Sequence, residues 1–325
     1  MNDFVAHLFD YIKLPLGDWS QAFVTWMVAN FRPIFQDVRV PVQLMLAHIG
    51  GALGSVHPLL LIAGLALIGW QLAGGRAGIV VAISLLLIGS IGAWSDAMAT
   101  LSVVVTAIVI SCIFGIPIGI LAGLNYRCNA VLRFILDFMQ SIPSFVYLVP
   151  VVMLFGIGDV PGVIVTVIYS ISPVIRLTGL GIREVRPDVI EAGHAFGCSP
   201  ARILFFVRIP LARKTIMAGM NQTVMLALSM AVVSAMIAVA GFGQTVLRGI
   251  GQLDIATATT GGVGIVLLAI TIDCLSQGLG KSFREHDMKH WYERGPAGLI
   301  RQCIRPFDGR RRADRGLEPK EKKAV

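Results

Sequence analysis

Charge is scarce in this sequence. Asp, Glu, Lys and Arg together make up 14% of 325 residues, hydrophobic residues 55%, and the mean hydropathy is +0.77, where soluble domains carry roughly a quarter charged residues. That balance excludes an ordinary soluble globular domain. The five cysteines, Cys112, Cys128, Cys198, Cys274 and Cys303, form no CxxC or Cys/His ligand spacing, so the sequence supports neither a disulfide framework nor a zinc site. No Walker A loop, HExxH or GxSxG is present and the six histidines are scattered, which argues against an enzyme and against a cofactor on this chain. The N-terminal MNDFVAHLFDYIKLP lacks a basic region followed by an apolar core, so no removable signal peptide is expected. Ionisable groups within apolar runs are few: Asp137 with Gln140, Arg176 and Asp273, all toward run ends. An ion pump places such groups at membrane depth, and this chain hardly does.

The apolar runs themselves are long enough to cross a bilayer as helices, which takes about 20 residues. The expectation is an all-α polytopic membrane protein with about seven spans, near 57–72, 78–94, 101–124, 136–155, 163–180, 215–239 and 262–279. Asp37, Arg39 and Pro41 interrupt every candidate run before residue 50. There Trp19, Phe23, Trp26, Met27, Phe31 and Ile34 recur at helical spacing, an aromatic face suited to the membrane interface or to packing on the bundle. The resulting division is an amphipathic segment over 1–54, two accessory spans over 55–94, a core over 95–280 and a basic tail over 281–325.

The formal net charge is +8, and the tail, with 13 Lys and Arg against 7 Asp and Glu, holds 13 − 7 = +6 of it. A basic excess on one side of a set of spans is the positive-inside pattern, so nucleic acid is not an expected partner and membrane lipid is. Arg76, Arg127, Arg133, the cluster from Arg183 to Lys214 and the tail share one side if there are seven spans. The N-terminus is then outside and the C-terminus inside.

The most informative stretch is the basic insert 183–214, REVRPDVIEAGHAFGCSPARILFFVRIPLARK. Asp188 and Glu191 have the spacing of a capping box, Gly197 suits a left-handed helix end, and Ser199-Pro200 offers a fresh start. Two short helices with a sharp turn between them are expected, a docking element outside the lipid. Beyond it, Asn221, Gln222, Thr223, Ser229 and Ser234 put small polar groups on the sixth span, suited to lining a solute path or to hydrogen bonding between helices. Pro117, Pro143, Pro150 and Pro173 are placed to bend helices around a cavity.

Glu191-Ala192-Gly193, three residues, Gly197, nine residues, then Val207-Arg208-Ile209-Pro210 closely resembles the EAA loop of binding-protein-dependent ABC importer permeases. Its departures are Gly193 for alanine, Val207 for isoleucine and Ile209 for leucine. The stretches LDFMQSIPSFVYLVPVVMLFGIGDVPGVI, SPVIRLTGLGIREV and IMAGMNQTVMLALSMAVVSAMIAVAGFG look like the glycine betaine, proline betaine and choline branch. The resemblance implies a type I importer permease fold in the bacterial inner membrane. It implies pairing with a second permease copy, an external solute-binding protein and an ATP-binding subunit that holds ATP and Mg. Glu191, Ala192, Gly193, Gly197 and Pro210 would couple to that ATPase. Quaternary ammonium groups favour aromatic faces, which makes Phe145, Tyr147 and Tyr169, with Asn221, Gln222 and Ser229, the pathway candidates.

Overall fold

The computed structural model describes residues 15–280, without the side chains of Leu16, Arg32, Ile34, Leu279 and Gly280. The basic tail, and with it any contact to lipid, lies outside the described residues, as does the extreme N-terminus. The described chain is helical: α1 (Leu16–Ser55), α2 (Pro58–Ala73), α3 (Gly75–Ser90), α4 (Trp94–Leu124), α5 (Tyr126–Ser141), a 3-10 turn Ser144–Tyr147, α6 (Leu148–Phe155), α7 (Asp159–Arg183), α8 (Pro187–Ala195), α9 (Pro200–Ile203), a π turn Leu204–Arg208, α10 (Ile209–Val233), a 3-10 turn Ser234–Ile237, α11 (Phe242–Gly251) and α12 (Ile255–Gly280).

Helix α7 is the centre, gripped on two sides through glycines. On α4, Gly115, Gly119 and Gly123 recur every four residues and open a groove, into which Val174, Thr178 and Ile182 of α7 project at the same spacing. Small residues at this interval let two backbones approach closely, which is how helices associate without a hydrophobic driving force. On the opposite side Gly219 of α10 lies against Pro173 and Leu177, and Gly181 of α7 lies against Ala212 and Thr215. At the end away from the insert, Thr100 accepts the Phe242 amide at 2.9 Å, Asp96 accepts from the Thr245 hydroxyl at 2.5 Å, and Asp159 accepts from the Ala240 amide at 3.0 Å. These bonds tie the start of α11 to the first two turns of α4, and the residue pair before it to the start of α7.

Among the described residues four helices are long and apolar enough to cross a membrane, and up to six spans result if each of two bent pairs counts as one. The second expected span, near 78–94, corresponds to α3, whose 16 residues reach only about 24 Å. Asp37, Arg39 and Pro41 interrupt the apolar run, as expected, but not the helix: α1 runs through them for 40 residues and counts toward a span only from Phe35 and only together with α2. Three local expectations need correction. The expected span over 136–155 is not straight, because α5 and the segment from Ser144 meet at 103°. Ile142, forced to extended geometry (φ −81°, ψ 129°) by Pro143, is the elbow. The span expected near 262–279 begins earlier, at Ile255 in α12, and α11 precedes it. Finally, the insert is not a free-standing helix pair, because its second helix is continuous with the sixth span from Pro200 to Ile237 over 38 residues.

The aromatic face of α1 divides. Residues 35–51 lie over the far end of the bundle, with Val42 buried and the Phe35 and Phe155 rings 5.3 Å apart. Trp19, Phe23, Trp26 and Phe31 remain exposed, Phe23 stacks on Trp26 and Phe31 meets Trp26 edge to face, Met27 is half-buried, and the Ile34 side chain lies outside the described residues.

Candidate coupling loop and solute pathway

Helix α8 begins differently from the sequence expectation. Its first residue is Pro187, and no side chain caps it. Asp188 pairs back with Arg186 instead of closing a box with Glu191. A proline at N1 has no amide to satisfy, so the carboxylate is released to the guanidinium, and the Arg186 hydrogen bond holds the Asp188 carboxyl below its usual range. Glu191 is exposed and, among the described residues, makes neither a hydrogen bond nor an ion pair. A carboxylate on a helix face with no use for the fold is available to another chain.

The reversal after α8 follows the expectation. Gly197 takes φ +73°, its amide bonds His194 O at 2.9 Å, and the Cys198 amide reaches Gly193 O at 3.0 Å. That is the paired bonding of a Schellman ending. Ser199 caps α9, accepting from the Arg202 amide at 3.4 Å. Gly193 is half-buried over Ile203, where an added Cβ would sit 3.3 Å from Cγ1; the departure from alanine therefore lets α8 settle closer to α9. Ala192 and Pro210 are both exposed, and Pro210 opens α10 directly after the π turn.

Three residues here escaped the sequence reading. Phe196 is 87% exposed, Phe206 78% and Phe205 63%. The signal was available: phenylalanines within a basic insert have no lipid to face and no core to join. Large apolar side chains that stay bare in a loop whose backbone is fully organised make a candidate interaction surface.

The pathway candidates do not form one group. The Tyr147 and Tyr169 rings stand 6.4 Å apart, edge to face, beside the elbow, and the Tyr147 hydroxyl donates to Met139 O. Phe145 is exposed at the same elbow. Gln222 and Ser229 lie with Met225 on one exposed stripe of α10. Asn221 turns the other way and accepts from Ser276 of α12 at 2.5 Å, which makes it an interhelical tie. No group of three or more metal-ligating side chains occurs among the described residues.

The sequence model of the family described as "binding-protein-dependent transport system inner membrane component" matches residues 115–285. The chain is 52% identical over 295 residues to the glycine betaine/proline betaine transport system permease protein ProW of Escherichia coli (strain K12), covering 90% of this chain and 82% of that one. It is 39% identical to the glycine betaine transport system permease protein OpuAB of Bacillus subtilis (strain 168), with 82% and 95% covered. Among solved structures, an inward-facing form of the MetNI methionine ABC transporter matches with a TM-score of 0.51 at 18% identity, over 57% of this chain and 95% of that one.

Proposed function

Because the chain belongs to the binding-protein-dependent transport system inner membrane components, we propose that it is the membrane-spanning subunit of an ATP-driven importer for glycine betaine or a related quaternary ammonium solute. ATP and Mg are handled by a separate ATP-binding subunit, solute is delivered by an extracytoplasmic binding protein, and two copies of this chain form the pore. The insert 183–214 faces the cytoplasm and the far end of the bundle faces outward.

The observation that carries this reading is the unbroken helical path from Pro200 to Ile237. One end presents the exposed phenylalanines and Glu191 of the insert to a partner. The other end carries Gln222, Met225 and Ser229 toward an open face. A force applied at the loop is thus delivered along a stiff rod into the membrane, and no catalytic group is needed on this chain. The relatives' names support the solute, and the aromatic elbow at Phe145, Tyr147 and Tyr169 supplies ring faces of the kind that attract quaternary ammonium cations.

The test is labelled glycine betaine uptake and ATP hydrolysis in proteoliposomes that contain the chain, its ATP-binding subunit and its binding protein. Uptake that requires ATP, and that falls with Glu191→Ala in an intact assembly, is expected. Uptake indifferent to ATP and to Glu191→Ala would overturn the reading in favour of a gradient-driven transporter.

A further inference from the structure

Helix α5 is thinly attached. Leu136 is its only buried side chain, while Tyr126, Val131, Phe134 and Phe138 are each more than 60% exposed. What holds it to α7 is polar: Arg176 donates to Asp137 at 2.7 Å and to Gln140 at 3.0 Å. Arg133, one turn before Asp137, adds a weaker contact at 3.8 Å. Beside this cluster a cavity of about 240 Å³ separates the two helices, lined by Leu132, Leu136, Arg176, Leu180 and Arg183. The elbow at Ile142-Pro143 follows immediately.

We propose that Arg176, Asp137 and Gln140 form a latch that sets the angle of the broken span, so that movement of the insert is passed to α5 only while the latch is closed. Helix α7 is clamped between α4 and α10 and ends at Arg183, four residues before α8 begins. It therefore follows the insert as a rigid body, and α5 has no comparable packing to follow it. Arg176 lies about 10 Å along α7 from that end. Its side chain is 44% exposed and that of Asp137 51%, so water or another partner can compete for the pair and open the latch. The adjoining cavity and the elbow, which has no ladder to hold its angle, give α5 both room and freedom to swing. None of the three residues touches solute in this scheme; all are positioning residues.

The inference rests on the importer reading, and the two fail differently. The native assembly is first assayed for ATP-dependent uptake, whose absence would overturn the importer reading and the latch with it, whereas the variants below can overturn the latch alone. Next, ATP hydrolysed per solute taken up is compared for native protein, Arg176→Gln, Asp137→Asn, the combination of both, the exchanged pair Asp137→Arg with Arg176→Asp, and Arg176→Lys. In assemblies of native composition, each neutral variant is expected to raise that ratio at least about fivefold, the lower end of an ordinary coupling energy. The combination should be no worse than either alone, and Arg176→Lys and the exchanged pair should recover much of the loss. A ratio unchanged in both neutral variants, or losses that simply multiply in the combination, would overturn the latch. Arg176→Lys preserves the charge and so keeps the comparison available if a neutral variant fails to assemble.

Discussion

A side-chain carbon on Gly119 would fall 2.6 Å from Cβ of Thr178 and 2.8 Å from the carbonyl oxygen of Ile175. Neither neighbour is the free end of a flexible chain, so the contact can be relieved only by parting α4 from α7. Gly119→Val should destabilise the protein by about 1–3 kcal/mol or more, the usual cost of overpacking, and should lower the unfolding midpoint in detergent. Gly64 of α2 is the control, because an added Cβ there meets nothing within 4 Å. Gly64→Ala should be neutral or stabilising by up to about 1 kcal/mol, the propensity difference. Equal effects at both sites would remove the close approach as the reason for Gly119.

Gly197 separates conformation from contact. Its φ is +73° and an added Cβ has open space around it, so alanine there is penalised only by the left-handed backbone, about 1–2 kcal/mol. Asparagine tolerates that region better. If the residue serves the turn alone, Gly197→Asn should retain most ATP-coupled uptake and Gly197→Ala less. Equal and complete loss in both, with the fold intact by circular dichroism, would instead mean that the partner needs the bare backbone.

Much of this arrangement was legible. The spans containing α4, α7, α10 and α12 followed from run length, and the turn at Gly197 and the cap at Ser199 followed from local chemistry. What escaped was decided partly by local competition for the same groups and partly by contacts between segments far apart in sequence. The capping-box spacing of Asp188 and Glu191 was present, but Pro187 had already removed the need for a cap and Arg186 claimed the carboxylate. Pro143 was recognised as a bend, yet the 103° elbow makes two helices of one apolar run. Asn221 and Gln222 are adjacent in sequence, but a helical step of about 100° sends one to α12 and the other to the open face. Asp137, Gln140 and Arg176 were each noted as residues near span ends, and only the packing of α5 on α7 joined them.

Among the described residues Phe196, Phe205 and Phe206 are each more than 60% exposed and so bury little against the fold. Their truncation to alanine should therefore leave the unfolding midpoint of the isolated permease unchanged. If they seat in a groove of the ATP-binding subunit, the most deeply buried of them should behave as a binding hot spot, with alanine costing about 2 kcal/mol or more. Affinity between permease and ATP-binding subunit, measured in detergent, checks this. Unchanged affinity in all three variants would place the docking surface elsewhere on the loop.

Asp254 governs the entry to α12. Its carboxylate accepts the Thr257 hydroxyl at 2.6 Å and the amides of Ala256 and Thr257 at 3.0 and 3.2 Å. The Thr257 hydrogen bonds, hydroxyl first, hold its carboxyl below the ordinary carboxylate value. A carboxyl depressed in the folded state contributes stability above its unfolded value and loses that contribution as pH falls through the folded one. The first turn of α12 should therefore fray in acid, below the usual carboxylate range, and be indifferent to pH near neutrality. Asp188 titrates in the same window but at the opposite end of the molecule, so a global unfolding midpoint would mix the two. Hydrogen exchange at the amides of Ala256 and Thr257 isolates the local event. Exchange beyond the intrinsic pH effect should accelerate on acidification in the native chain, whereas in Asp254→Asn, which has no charge to lose, it should track the intrinsic rate alone. Parallel profiles in the two proteins would mean that α12 is held by its packing on α11, through Gly249 and Ala258, and not by its cap.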